Sequence, residues 1–156
     1  MYNQLIEFEQ SPHKFNNITM YYSTKDSESF TLGPYVCPFG ISNYNGEEEI
    51  ILSIDGVKDI EFIQKLDAKV DELAEINSFK VNKKFSLHTP KNPDHPPTLK
   101  LKIYKGTIIH DDKNVIRDKR YINRFDKVLC DVSVLGLWVN EIEYGISYQV
   151  NKIQVF

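Results

Sequence analysis

The sequence predicts a mainly β domain that carries a single amphipathic helix. Apolar and polar residues alternate along most of the chain, and only one segment shows helical periodicity. Aromatic residues, which favour strands, make up 12% of the composition. At 156 residues the chain is expected to form one domain, residues 1–156, which is large enough to bury a core without a metal or a disulfide.

The first half of the chain predicts a β-meander followed by the helix. Residues 19–24, 30–38 and 49–55 alternate as strands do, and Asn45-Gly46 is a strong hairpin signal. From about residue 58 to 76 or 77, apolar residues recur every three or four positions, which predicts a helix with one apolar face. These apolar residues are Ile60, Ile63, Leu66, Val70 and Leu73.

The second half predicts longer strands with two irregularities. From Thr98 onward, Leu99, Leu101 and Ile103 occupy one face of a strand, and Lys100, Lys102 and Tyr104 occupy the other. In the last 30 residues the alternation slips at residues 135–136 and again between 150 and 153, which indicates bulges in two long strands joined by a hairpin. Five or six strands with one inserted helix, at about residues 58–77, predict an OB-like Greek-key β-barrel.

Charge is distributed unevenly along the chain. The basic segment, residues 77–125, contains twelve Lys or Arg and four Asp residues, a net charge of +8. The rest of the chain therefore carries −11, since the total is −3. Because a local field attracts a polyanion more than the total charge repels it, the basic segment is compatible with a nucleic-acid ligand.

Aromatic rings are interleaved with the cations of this segment, as in Lys83-Lys84-Phe85 and in residues 100–105 and 117–125. A protein that binds single-stranded nucleic acid needs cations for the phosphates and flat rings on which bases stack. The alternative is that lysines merely cover exposed strands and that most rings lie in the core. For Trp138, a core anchor and a stacking platform remain equally open. The candidate binding residues are Lys83, Lys84, Lys100, Lys102, Tyr104, Arg117, Lys119, Arg120, Tyr121, Arg124 and Trp138.

Nothing in the sequence favours catalysis, and no cofactor or metal is expected. There is no nucleophile elbow and no phosphate-binding loop, and Cys37 and Cys130 form no metal or redox motif. Residues 110–112, His-Asp-Asp, are interpreted as a solvated loop rather than a metal site, and Glu47-Glu48-Glu49 as a solvated face rather than an acid–base pair. Without a signal sequence or an apolar membrane span, the chain is expected to be soluble and intracellular.

Three stretches, in order, carry a resemblance to a known family. These are residues 37–44 (Cys-Pro-Phe-Gly-Ile-Ser-Asn-Tyr), residues 95–102 (His-Pro-Pro-Thr-Leu-Lys-Leu-Lys) and the closing segment from Val132 through Trp138 and Gly145 to Val155, with the helix between the first two. Together they resemble the OB-fold single-stranded DNA-binding proteins of large DNA viruses and phages. His95 stands where that family has a tyrosine, and the first 30 residues match no part of it.

The resemblance implies a protein that coats single-stranded DNA during viral replication, recombination or repair, without a cofactor. In a virus it would act in the host cytoplasm or nucleus at sites of viral replication. The alternative is a protein-interaction or scaffold module of a replication complex or virion, whose basic segment docks an acidic partner. Preference for DNA over RNA, self-association and contacts with replication proteins remain open, and no membrane partner is expected.

Overall fold

The computed structural model describes residues 7–24 and 29–156. The absence of a signal sequence was inferred in part from residues 1–6, which lie outside that description. One helix, α1, spans Val57–Ile76, and a short 3₁₀ helix spans Lys119–Tyr121. The strands are β1 (His13–Phe15), β2 (Ile18–Tyr22), β3 (Phe30–Cys37), β4 (Ile41–Tyr44), β5 (Glu47–Ser53), β6 (Asn82–Lys83), β7 (Leu87–His88), β8 (Thr98–His110), β9 (Ile116–Arg117), β10 (Asp126–Val139) and β11 (Glu143–Val155).

A long antiparallel hairpin, β10 and β11, forms the middle of the sheet. On the free edge of β11, β8 pairs in parallel, followed by β5 and then β4, both antiparallel. On the free edge of β10, β3 pairs with the first half of the strand and β2 with its last four residues. The main path is therefore β1-β2-β10-β11-β8-β5-β4, with the remaining short strands attached to its sides.

The mainly β, OB-like architecture with one helix is confirmed, but the sheet differs from the expected barrel in two respects. The described residues form eleven strands rather than five or six, several of them only two residues long, and backbone pairing does not close the sheet. In place of a strand pair that would close the sheet, side chains of α1 contact β3. The ring of Phe62 lies 4.9 Å from that of Phe30, edge to face, and the hydroxyl of Tyr35 donates to the Asp59 carboxylate.

Alternation along the long strands builds the core. On β10, Val128, Cys130, Val132 and Val134 are all buried and belong to the same apolar core as the buried residues of α1 and β11. Each such side chain stabilises the fold by about 1.5–3 kcal/mol through burial. The predicted helix is confirmed at Val57–Ile76, because most of its apolar residues cover this core, while its charged residues other than Asp67 lie at least partly in solvent.

Local irregularities agree with the sequence analysis. The β10–β11 register shifts between Val134 and Gly136 and again opposite residue 151, where the alternation slips. Asn45 and Gly46 both have positive φ, 53° and 83°, as a type I′ hairpin turn requires.

The prediction for residues 110–112 is wrong for two of the three. His110 ends β8, and both His110 and Asp111 are buried rather than solvated. The Asp111 carboxylate accepts hydrogen bonds from the backbone N–H groups of Lys113 and Val115, so it organises the turn that follows β8.

Within the described residues, no helix is long and apolar enough to cross a bilayer.

Candidate nucleic-acid interface

A groove of about 600 Å³ lies between β8, the β4–β5 turn and the segment that follows β9. Four candidate residues line it, two from β8 and two from residues 117–119. Lys105, a neighbouring cation of the basic segment, lines it as well. The candidate residues in the groove are Lys102, Tyr104, Arg117 and Lys119.

Strand β8 presents its cations because its other face is committed to the core. Leu99 and Leu101 are fully buried, so the alternation turns Lys100 and Lys102 outward. The strand then bulges. Between the paired residues Ile103 and Ile108, β8 has four residues where β11 has one.

Two groove residues, Tyr104 and Lys105, lie in this bulge, where the regular alternation of side chains is interrupted. A side chain at Gly106 would collide with the Tyr104 ring at 2.4 Å, so the ring lies directly against the glycine backbone. The Tyr104 hydroxyl donates to the Asn151 side-chain oxygen at 3.4 Å, and the residue remains 44% exposed. The groove therefore contains an accessible ring in a defined position.

A cation and a ring also stack at the far wall of the groove. The Arg117 guanidinium lies 4.9 Å from the centroid of the exposed Tyr121 ring. It also contacts the buried carboxylate of Asp111 at 3.1 Å. Hydrogen bonds from the Val115 and Lys113 N–H groups, together with Arg117, lower the pKa of Asp111, so the pair stays ionised. The Tyr121 ring and the Asp111 carboxylate therefore hold Arg117 in place.

Sequence reasoning missed the carboxylates that face these cations. Glu47, Glu48 and Glu49, interpreted as a solvated face, lie on β5 next to β8, and Glu48 and Glu49 are only partly exposed. Lys100 contacts Glu49 at 3.7 Å, Lys102 contacts Glu47 at 3.9 Å, and Lys119 pairs with Glu48. We call Glu47, Glu48 and Glu49 the glutamate ladder. The available signal was a run of three acids that leads into the predicted strand 49–55 and the alternating lysines of the strand from Thr98, but the register between these two strands could not be inferred.

A second group of candidate residues lies where β6 joins β11. The Lys84 ammonium is 5.9 Å from the Trp138 ring, and Trp138 packs on Gly145, its partner across the β10–β11 ladder. The indole is partly buried, so it serves both as packing and as accessible surface. Lys83 contacts Asp71 at 2.7 Å and also lies 4.6 Å from the exposed Phe85 ring.

A buried polar network anchors this second group to the helix. Asp67 of α1 is buried and accepts hydrogen bonds from the backbone N–H and the hydroxyl of Ser86. The Ser86 hydroxyl also bonds the Tyr148 hydroxyl at 2.7 Å. Burial raises the pKa of Asp67, and the Ser86 hydrogen bonds oppose that shift. The segment that carries Lys83 and Lys84 is therefore fixed against α1.

The structure thus brings most of the candidate residues into two groups rather than one, and leaves Arg120 and Arg124 outside both. Lys83 pairs with residue 144 and Lys102 with residue 149 of β11, which separates the groups by about 16 Å along that strand at ~3.3 Å per residue. Arg120 is exposed and paired with Asp118, and Arg124 lies in the turn before β10.

Among the described residues, no group of three potential ligands could hold a metal ion.

Comparison with known proteins identifies the architecture. The single-stranded DNA-binding protein of bacteriophage Enc34, solved in complex with ssDNA, aligns with a TM-score of 0.53 at 11% sequence identity, over 100% of this chain and 96% of that chain. This chain shares the fold of a phage single-stranded DNA-binding protein. A C-terminally truncated form of the Enc34 protein gives a TM-score of 0.50 at 14% identity over 92% and 91% of the two chains. No protein-family profile and no curated protein sequence matches.

Proposed function

We propose that this chain binds single-stranded DNA without sequence specificity and without catalysis. The observation that carries the proposal is the groove, which is lined by Lys102, Arg117 and Lys119 together with the exposed side chain of Tyr104. The likeness in fold to a phage protein solved with ssDNA supports it. Coating of viral DNA during replication, recombination or repair is the role that this activity would serve.

The groove chemistry suits a single strand because it offers both kinds of contact that such a ligand needs. The cations meet phosphates, which fixes the strand without reading its sequence. Tyr104 and the Arg117–Tyr121 stack offer flat faces to bases, and stacking contributes about 1–3 kcal/mol per base whatever the base is. Trp138, which pairs with Gly145, and Lys84 offer a further ring and cation about 13 Å along β11 from the groove.

A titration of a fluorescently labelled oligo-dT by anisotropy tests the proposal. We expect binding that weakens between about 50 and about 200 mM salt, because cations at phosphates release counterions. The double variant Lys100→Glu, Lys102→Glu should weaken binding. Its matched control is Lys58→Glu, Lys65→Glu, which makes the same change of charge at two exposed positions of α1.

Two results would contradict the proposal. A flat titration at micromolar wild-type protein in low salt would exclude the function and favour a scaffold role, which a pull-down that survives nuclease treatment would support. Equal weakening by the β8 and α1 variants would show that total charge, rather than the groove, governs binding. Thermal melts of all variants separate loss of binding from loss of folding.

A further inference from the structure

Two turns pack together at the start of β10, outside the groove. The Cys37 carbonyl accepts hydrogen bonds from the N–H groups of Phe125, at 2.9 Å, and Gly40, at 3.3 Å. A side chain at Gly40 would lie 3.4 Å from the backbone nitrogen of Arg124, so the two backbones touch. The turns at residues 38–40 and 123–126 therefore form one continuous surface.

Each of these turns exposes a phenylalanine. Phe39 is 53% exposed and Phe125 is 67% exposed. Phe125 also has a φ of 69°, a left-handed conformation that is unfavourable for a residue with a Cβ atom. Such backbone strain, in a residue whose ring contributes little to the core, points to a use other than folding.

Arg124 places a cation beside this surface. Its guanidinium lies 5.6 Å from the Phe125 ring centroid. Within residues 7–24 and 29–156 no carboxylate lies at salt-bridge distance from Arg124, whereas Lys102, Arg117 and Lys119 in the groove each have one. Arg124 can therefore meet a phosphate without first leaving a carboxylate.

The surface continues the groove along the chain. Lys119 belongs to the groove wall, and Tyr121 stacks on Arg117 from the same 3₁₀ helix. Ile122 is buried and fixes the next residues to the body of the protein. Phe125 follows Tyr121 by four residues, a span of at most about 14 Å. A strand that passes Tyr121 therefore needs only a few nucleotides to reach Phe125.

We propose that Phe39, Arg124 and Phe125 form a second stacking platform, which binds bases of the same single strand after it leaves the groove. The inference rests on the proposed function and names a site outside the groove. Its chemistry is that of the groove, with rings for base faces and one cation for a phosphate. Loss of one base–ring stack should weaken binding by about 5- to 150-fold.

Oligomer length separates the platform from the groove. We expect Phe125→Ala to weaken binding of an oligo-dT of about 20 nucleotides by that factor and to leave binding of one of about 5 nucleotides within about twofold. Phe125→Trp should restore the loss. Phe15→Ala is the matched control, because Phe15 is likewise an exposed phenylalanine, at 53% against 67% for Phe125, but lies in the β1–β2 hairpin, which pairs with the opposite end of β10.

Three outcomes overturn the inference. If Phe125→Ala leaves the long oligomer unaffected, the platform does not bind it. If the short and long oligomers lose affinity equally, Phe125 acts within the groove or on the fold. If the wild type binds neither oligomer, the proposed function itself fails, and the inference fails with it. Binding by the wild type thus distinguishes failure of the platform alone from failure of both.

Discussion

Replacing the glutamate ladder with glutamine should strengthen DNA binding. Glu47, Glu48 and Glu49 occupy the ammonium groups of Lys102, Lys119 and Lys100, so a phosphate has to displace a carboxylate at each of them. Partly exposed ion pairs of this kind are worth about 0.2–1 kcal/mol each. Three of them amount to about 0.6–3 kcal/mol, which corresponds to about 3- to 150-fold tighter binding by the triple variant.

The assay is the oligo-dT titration at low and at moderate salt, with the gain expected to shrink as salt screens the ion pairs. A matched control is Glu61→Gln, Glu72→Gln, Glu75→Gln, which removes the same three charges from exposed positions of α1. Unchanged or weaker binding by the ladder variant would refute the reasoning. An equal gain in the α1 control would show that net charge, rather than release of the lysines, is responsible.

Three further predictions test the surrounding structure. Burial raises the pKa of Asp67, so between about pH 3.8 and that raised pKa the folded state holds a proton that the unfolded chain has lost. The free energy of unfolding, relative to that of Asp67→Asn, should therefore fall as pH rises through this range. Urea unfolding that shows a rise would contradict this. Gly145→Ala places a methyl group 3.0 Å from Trp138, the only tryptophan, and should shift its fluorescence maximum and destabilise the fold by about 1–3 kcal/mol. Burial raises the pKa of Cys37 to about 11 and raises that of Cys130 further. Neither thiol should therefore react with a disulfide reagent at about pH 8 until the protein unfolds. Rapid reaction of the native protein would show that a thiol is accessible.

Local sequence patterns predicted the elements that positioned the site. Alternation on residues 98–104 correctly separated Leu99 and Leu101 from the lysines between them, because a strand's side-chain period is set by its own backbone. The slip at residues 135–136 marked a real bulge for the same reason. Asn45-Gly46 was recognisable because few other dipeptides tolerate two positive φ angles.

What the sequence could not predict depends on contacts between distant segments. Whether a glutamate of β5 faces a lysine of β8 depends on a register between strands that α1 separates in the chain. Asp111 is buried only because the chain folds back over it through Val115 and Arg117. Turn residues such as Phe39 have no periodicity, so their exposure could not be inferred from pattern.

The ion pairs also change what the basic segment implies for binding. Of the eight candidate cations, six face a carboxylate within the described residues, and only Lys84 and Arg124 do not. When a lysine leaves its glutamate to bind a phosphate, the freed glutamate attracts a cation from solution. The net release of counterions at that lysine is therefore small. Eight free cations would give a slope of log affinity against log salt of about −5.6, and two would give about −1.4. A slope near the smaller value would mean that stacking, rather than the +8 charge of the basic segment, supplies most of the affinity.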